Sequence, residues 1–140
     1  IKITSERNTV KIADFGLTRI YRDSRLGGQT LPSDLPGTTA YRAPEQVIDC
    51  RGTTLAADQY AAAATLYHLL TRKHVYDQPR RVADQLAQIL DEDVVPIRDR
   101  RSGLPPKLIS VIHRALSRDP ARRFPDVAAF KKALLPFGRE

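Results

Sequence analysis

The chain has 140 residues, 41% hydrophobic and 28% charged, a balance that fits one folded domain and excludes a disordered polymer. It contains no run of about 18 apolar residues, so no segment reads as a membrane-spanning helix, and its single cysteine, Cys50, excludes an internal disulfide and any cysteine-rich zinc site. The 23 basic residues outnumber 16 acidic ones for a net charge of +7, but they are scattered and not interleaved with aromatics, which favours a solvated basic surface over a nucleic-acid-binding one.

Ile1–Thr4 and Thr9–Ala13 alternate apolar and polar side chains, the period of a half-buried strand, and the polar stretch Ser5–Asn8 between them reads as a turn. A small β-hairpin is predicted, with Asp14 standing at a strand end. From Leu17 to Arg42 the periodicity dissolves, punctuated by Gly27, Gly28, Pro32, Pro36 and Gly37. Loops of this length inside a compact domain are usually functional or disordered.

Helices follow. Pro44–Ile48 predicts a short one. Asp58–Thr71 is apolar nearly all round, the pattern of a helix buried on every side. Pro79–Glu92 opens on a proline suited to a first turn and sets Val82, Leu86, Ile89 and Leu90 on one face. Pro105–Asp119 repeats the scheme with Leu108, Ile109, Ile112 and Leu116, and Pro125–Leu135 closes it with Val127, Phe130 and Leu134. Two strands followed by helices predict an α+β fold that is mostly α. Neither an internal repeat nor an interdomain linker is present.

Four motifs stand in order along this pattern: "VKIADFG" at Val10–Gly16, "GTTAYRAPE" at Gly37–Glu45, "ADQYAAAATLYHLLT" at Ala57–Thr71 and "LSRDPARRF" at Leu116–Phe124. An isolated Asp-Phe-Gly triplet is a weak signal. The four together, from Ile1 to about Leu134, resemble the C-terminal lobe of a eukaryotic-like serine/threonine protein kinase of the bacterial type.

The resemblance implies roles for individual residues. Asp14 would be the metal ligand, since phosphoryl transfer needs a divalent cation to neutralise the nucleotide phosphates and a fixed carboxylate can hold one. Gly16 would let the backbone turn without a Cβ penalty, and Phe15 would pack inward and set the orientation of Asp14. The plain alternative is a strand-end aspartate in an ordinary turn. The loop Leu17–Arg42 would be an activation segment, with Thr30 and Ser33 as phosphorylation candidates that recruit arginines and Asp34 as a standing negative charge. The alternative is a set of turn-forming polar residues.

Thr38 would touch the catalytic aspartate and the substrate backbone, and Thr39 fits that place less well. Glu45 and Arg123 would form a buried bidentate pair, with Arg123 fitting the spacing better than Arg122; the alternative is two surface charges worth little. Asp58 would hold the backbone of the catalytic loop, or else be an ordinary helix N-terminal carboxylate favoured by the macrodipole. Ala61 and Ala63 stand where relatives often carry Ser and Gly, and both keep the helix slim. His68, His74 and His113 have no metal-binding spacing and read as surface or packing residues.

The glycine-rich loop, the phosphate-anchoring lysine with its glutamate, and the His-Arg-Asp catalytic loop are not found in these 140 residues. The expectation is therefore a partial kinase domain, residues 1–140, from a longer cytoplasmic protein. That protein would use Mg2+ and ATP and act on protein substrates, with ATP held through an N-terminal lobe; nucleic acid and membrane are not expected partners of this chain. The chain alone is expected to be inactive. A pseudokinase or scaffold domain is the leading alternative, and a basic helical nucleic-acid-binding module is a remote third.

Overall fold

The computed structural model describes residues 2–4, 9–11, 39–49, 54–77 and 79–138. The chain divides into two units, Ile1–Leu31 and Pro32–Glu140. In the first, strands β1 (Lys2–Thr4) and β2 (Thr9–Lys11) pair antiparallel, with Lys2 opposite Lys11, Ile3 opposite Val10 and Thr4 opposite Thr9. Ile1, Ile12 and Ala13, which the alternation also places in these strands, lie outside the described residues. The turn that would join them as a hairpin lies outside the described residues.

The second unit is helical: α1 (Pro44–Ile48), α2 (Leu55–Thr71), α3 (Val82–Asp91), α4 (Ile97–Arg100), α5 (Pro106–Ala115) and α6 (Val127–Leu134), with 3-10 turns at Pro120–Arg122 and Leu135–Phe137. Local chemistry sets the ends. The Thr54 hydroxyl accepts from the Ala57 N–H at 3.3 Å, so α2 begins three residues before Asp58. The helix stops at Arg72, whose φ of 59° leaves the right-handed region while its N–H still reaches the His68 carbonyl at 2.8 Å. Asp126 caps α6 by accepting from the Ala129 N–H at 2.6 Å. Pro106 occupies the first position of α5, where a missing N–H costs nothing.

Helix α2 runs through the middle of this unit and packs on α4, α5 and α6. Tyr60, Ala63, Ala64 and Tyr67 on one side of it meet a core built with Ile97, Leu108, Ile112, Leu116 and Phe130. The two alanines allow close approach of the neighbouring helices. Burying a side chain such as Ile112, which has no exposed surface, contributes about 1.5–3 kcal/mol.

The expectation that α2 is buried on every side is corrected. Within Asp58–Thr71, Leu69 is 65% exposed and Ala62 is also open. The helix is apolar on both sides, while the helices of this unit cover one. Val127, expected on the inner face of α6, is likewise 47% exposed, and Phe130 is the buried residue there.

Candidate active-site platform

Among the described residues, the most heavily bonded side chain belongs to Arg123. Asp119 accepts from the Ala121 N–H at 2.9 Å and opens the turn Pro120–Arg122. That turn leaves Arg122 in solvent and directs Arg123 inward. The Arg123 side chain has no exposed surface. Its Nη1 and Nη2 grip Glu45 Oε1 and Oε2 at 2.6 and 2.7 Å. Nη1 also donates to the Ala56 carbonyl at 2.8 Å, Nε to that of Ser117 at 2.8 Å, and Nη2 to that of Arg118 at 3.3 Å. Every N–H of the guanidinium is thereby used. Its carbon also lies 5.0 Å from the centre of the Tyr60 ring. Burial, followed by the Tyr76 hydroxyl 3.4 Å away, pushes the Tyr60 phenol well above its ordinary range, so it stays neutral. The fork ties the end of the Gly37–Glu45 motif to the start of α2 and to the Leu116–Phe124 motif.

Gln59 reinforces that junction. Its Nε2 donates to the Phe124 carbonyl at 3.1 Å, and its Oε1 accepts from the Phe124 N–H at 3.0 Å. A carboxamide thus stands in for a strand neighbour. Sequence reasoning missed this residue, although a glutamine inside an otherwise apolar helix was the available signal.

Thr39 is buried, and its hydroxyl donates to Gln85 Oε1 at 2.5 Å; Gln85 Nε2 donates in turn to the Pro79 carbonyl at 2.7 Å. Thr39 is therefore built into the fold. Thr38 itself lies outside the described residues, as do Asp14, Phe15, Gly16, Thr30 and Ser33. Asp58 sits in the first turn of α2 with its side chain exposed, a favourable place for a carboxylate against the helix dipole.

Two histidines that the sequence places six residues apart come together beneath Tyr41. The His68 and His74 rings stack with centroids 4.5 Å apart, and Tyr41 meets His74 edge-on at 5.6 Å. Both Nδ1 atoms are buried without a hydrogen-bond partner. Burial, then the neighbouring His68, lowers the His74 pKa. In-plane lone pairs of stacked rings do not converge, so the pair is a packing unit rather than a metal site. Among the described residues no group of three or more His, Cys, Asp or Glu side chains is placed to hold a metal. His113 accepts from the Ile97 N–H at Nε2, 3.1 Å away, and burial lowers its pKa.

The model of the protein kinase domain matches residues 1–134. The chain belongs to the protein kinase domain family. Within this family it is 33% identical over 135 residues to serine/threonine-protein kinase PknB of Mycolicibacterium smegmatis, covering 94% of this chain and 20% of that protein. It is 37% identical over 116 residues to serine/threonine-protein kinase PknK of Mycobacterium bovis, covering 81% of this chain and 10% of the relative. A probable serine/threonine-protein kinase PknB of Bifidobacterium longum is 31% identical over 135 residues, 95% of this chain and 19% of the relative. The chain thus spans about a fifth of the length of the PknB kinases it matches. In this kinase family member, no helix among the described residues is long and apolar enough to cross a membrane.

Proposed function

We propose that these residues form the substrate-side part of a serine/threonine protein kinase domain, which moves the γ-phosphate of ATP to serine or threonine hydroxyls of proteins in the cytoplasm. The observation that carries this reading is the buried fork of Arg123 on Glu45, joining two of the four ordered motifs in a chain that matches the kinase family along almost all its length. A surface pair would not bury a guanidinium completely and use all of its donors.

In this reading Asp14 holds the divalent cation, magnesium; a hard carboxylate oxygen suits that ion, which supplies charge neutralisation at the phosphates. Phe15 and Gly16 set the Asp14 carboxylate. Thr38 orients the substrate backbone. Phosphate on Thr30 or Ser33 orders the segment in front of it. Asp58, exposed at the start of α2, supports the catalytic loop. Glu45, Arg123 and Gln59 keep the platform in register without touching substrate.

The 140 residues taken alone should not transfer phosphate. They carry no glycine-rich loop, phosphate-anchoring lysine or catalytic-loop aspartate motif, and phosphoryl transfer is mostly positioning and electrostatic stabilisation. The test is a radiolabelled ATP assay on the full-length protein beside the 140-residue chain. Labelling of a protein substrate by the first and not by the second is expected. Turnover by the short chain would refute the assignment of its residues to the substrate side, and inactivity of a folded, ATP-saturated full-length protein would refute the kinase reading.

A further inference from the structure

Two contacts link the turn at 39–42 of the Gly37–Glu45 motif to chain segments rich in basic residues. Gln85 bridges the Thr39 hydroxyl and the Pro79 carbonyl, so those two groups lie within about 8 Å of each other, the reach of one carboxamide and two hydrogen bonds. Arg80 and Arg81 follow Pro79 directly and are exposed. The edge-on contact of Tyr41 with His74 brings in a segment that carries Arg72 and Lys73, also exposed, which precede His74 in the chain. Arg42 lies in the turn itself.

The acidic residues available to balance them are few. Segments 39–43 and 72–85 contain Asp77 and Asp84, and Asp77 is taken by Arg100 at 2.7 Å. None of Arg72, Lys73, Arg80 and Arg81 enters an ion pair among the described residues. An excess of unpaired positive charge near a site raises the local concentration of anionic ligands.

We infer that this platform selects protein substrates carrying an anionic group, carboxylate or phosphate, close to the acceptor hydroxyl, and that Arg80 and Arg81 are the residues that read it. The inference rests on the kinase reading above and adds the substrate class. Exposed guanidiniums at a rim act mainly through long-range attraction, so the selection is strong at low salt and weak at high salt. Arginine also forks onto either anion through two parallel N–H donors.

The test uses the full-length kinase and one acceptor peptide made in four forms: neutral, aspartate- or glutamate-flanked, phosphoserine-flanked and lysine-flanked. At low salt kcat/KM is expected to be about tenfold higher for the anionic forms than for the neutral one, with the ratio shrinking as salt rises. A larger effect of phosphoserine assigns the anion to a prior phosphorylation, and an equal or larger effect of carboxylate assigns it to acidic side chains; either supports the inference. In R80A/R81A the anionic-to-neutral ratio should fall towards one. In R80E/R81E the preference should pass to the lysine-flanked peptide, an outcome that a misfolded variant cannot give. Equal rates on neutral and anionic peptides in the unaltered protein, or a preference that survives R80A/R81A, overturns the inference. Fluorescence anisotropy of the same peptides needs no turnover. A protein that phosphorylates none of them fails the kinase reading, while equal affinity for neutral and anionic forms fails this one.

Discussion

Arg123 illustrates how one side chain specifies a junction. Its fork on Glu45 and its three carbonyl contacts use the planar arrangement of donors that lysine lacks. Glu45→Ala would leave a fully buried guanidinium without its counter-charge and is expected to cost about 3–5 kcal/mol. Arg122→Ala, one residue away in solvent, should change stability by no more than about 0.5 kcal/mol. Urea unfolding of the two variants checks this, and equal losses would remove the distinction between them. The pair was legible in the sequence because each partner sits in a recognisable motif. The stacked histidines were not: His68 and His74 carry no shared spacing signal, and the Arg72 turn that folds one onto the other is a feature of the backbone.

Histidine titration gives a second test at this scale. His74 is held below its ordinary pKa by burial and then by His68, and His113 by burial. Each binds its proton less readily folded than unfolded, so the unfolded state takes up more protons as pH falls. Their contribution to stability is complete above the unfolded value of about 6.5 and is lost as pH drops through the window below it. Protonation of His113 also removes the acceptor for the Ile97 N–H. The Tm should therefore fall between pH 7.5 and 5.5, and His113→Gln should flatten part of that fall. A Tm that rises on acidification would contradict this account.

At the scale of elements, α2 decides the architecture. Its presence was readable from its apolar composition, and the inner faces of α3 and α5 from hydrophobic period, because Leu86 with Ile89 and Leu108 with Ile112 recur at helical spacing. Which side of α2 would be covered was not readable, since alanine and leucine occur on both sides and composition carries no record of the neighbour. Polar pairings across the chain escaped for a related reason. Gln59 meets Phe124 and Thr39 meets Gln85 only after folding, and no local pattern announces either. Gln59→Leu keeps the volume and the apolar character of the helix yet strips the Phe124 N–H and C=O of their partner. A loss of about 1–3 kcal/mol is expected by urea unfolding. A neutral or stabilising result would show that the clip is dispensable.

At the scale of the whole molecule, the four motifs made the family legible before any coordinates, and the family match over residues 1–134 agrees. What motif order alone does not reveal is how each part is held. The structure supplies this for Glu45, Arg123 and Gln59, whose bonds join the platform to α2 and to the last helices. The metal-binding role proposed for Asp14, which belongs to the other unit, is where the kinase reading is most exposed to test. The most direct test is the phosphotransfer rate of the full-length protein and its Asp14→Ala variant, measured on one protein substrate at saturating ATP and magnesium, with matched melting curves to show that both are folded. The account predicts a rate in the unaltered protein that falls by at least about a hundredfold in the variant, on the scale of losing a key electrostatic contact to the transition state. An unaltered protein with no activity, or a variant as fast as the unaltered protein, would contradict it.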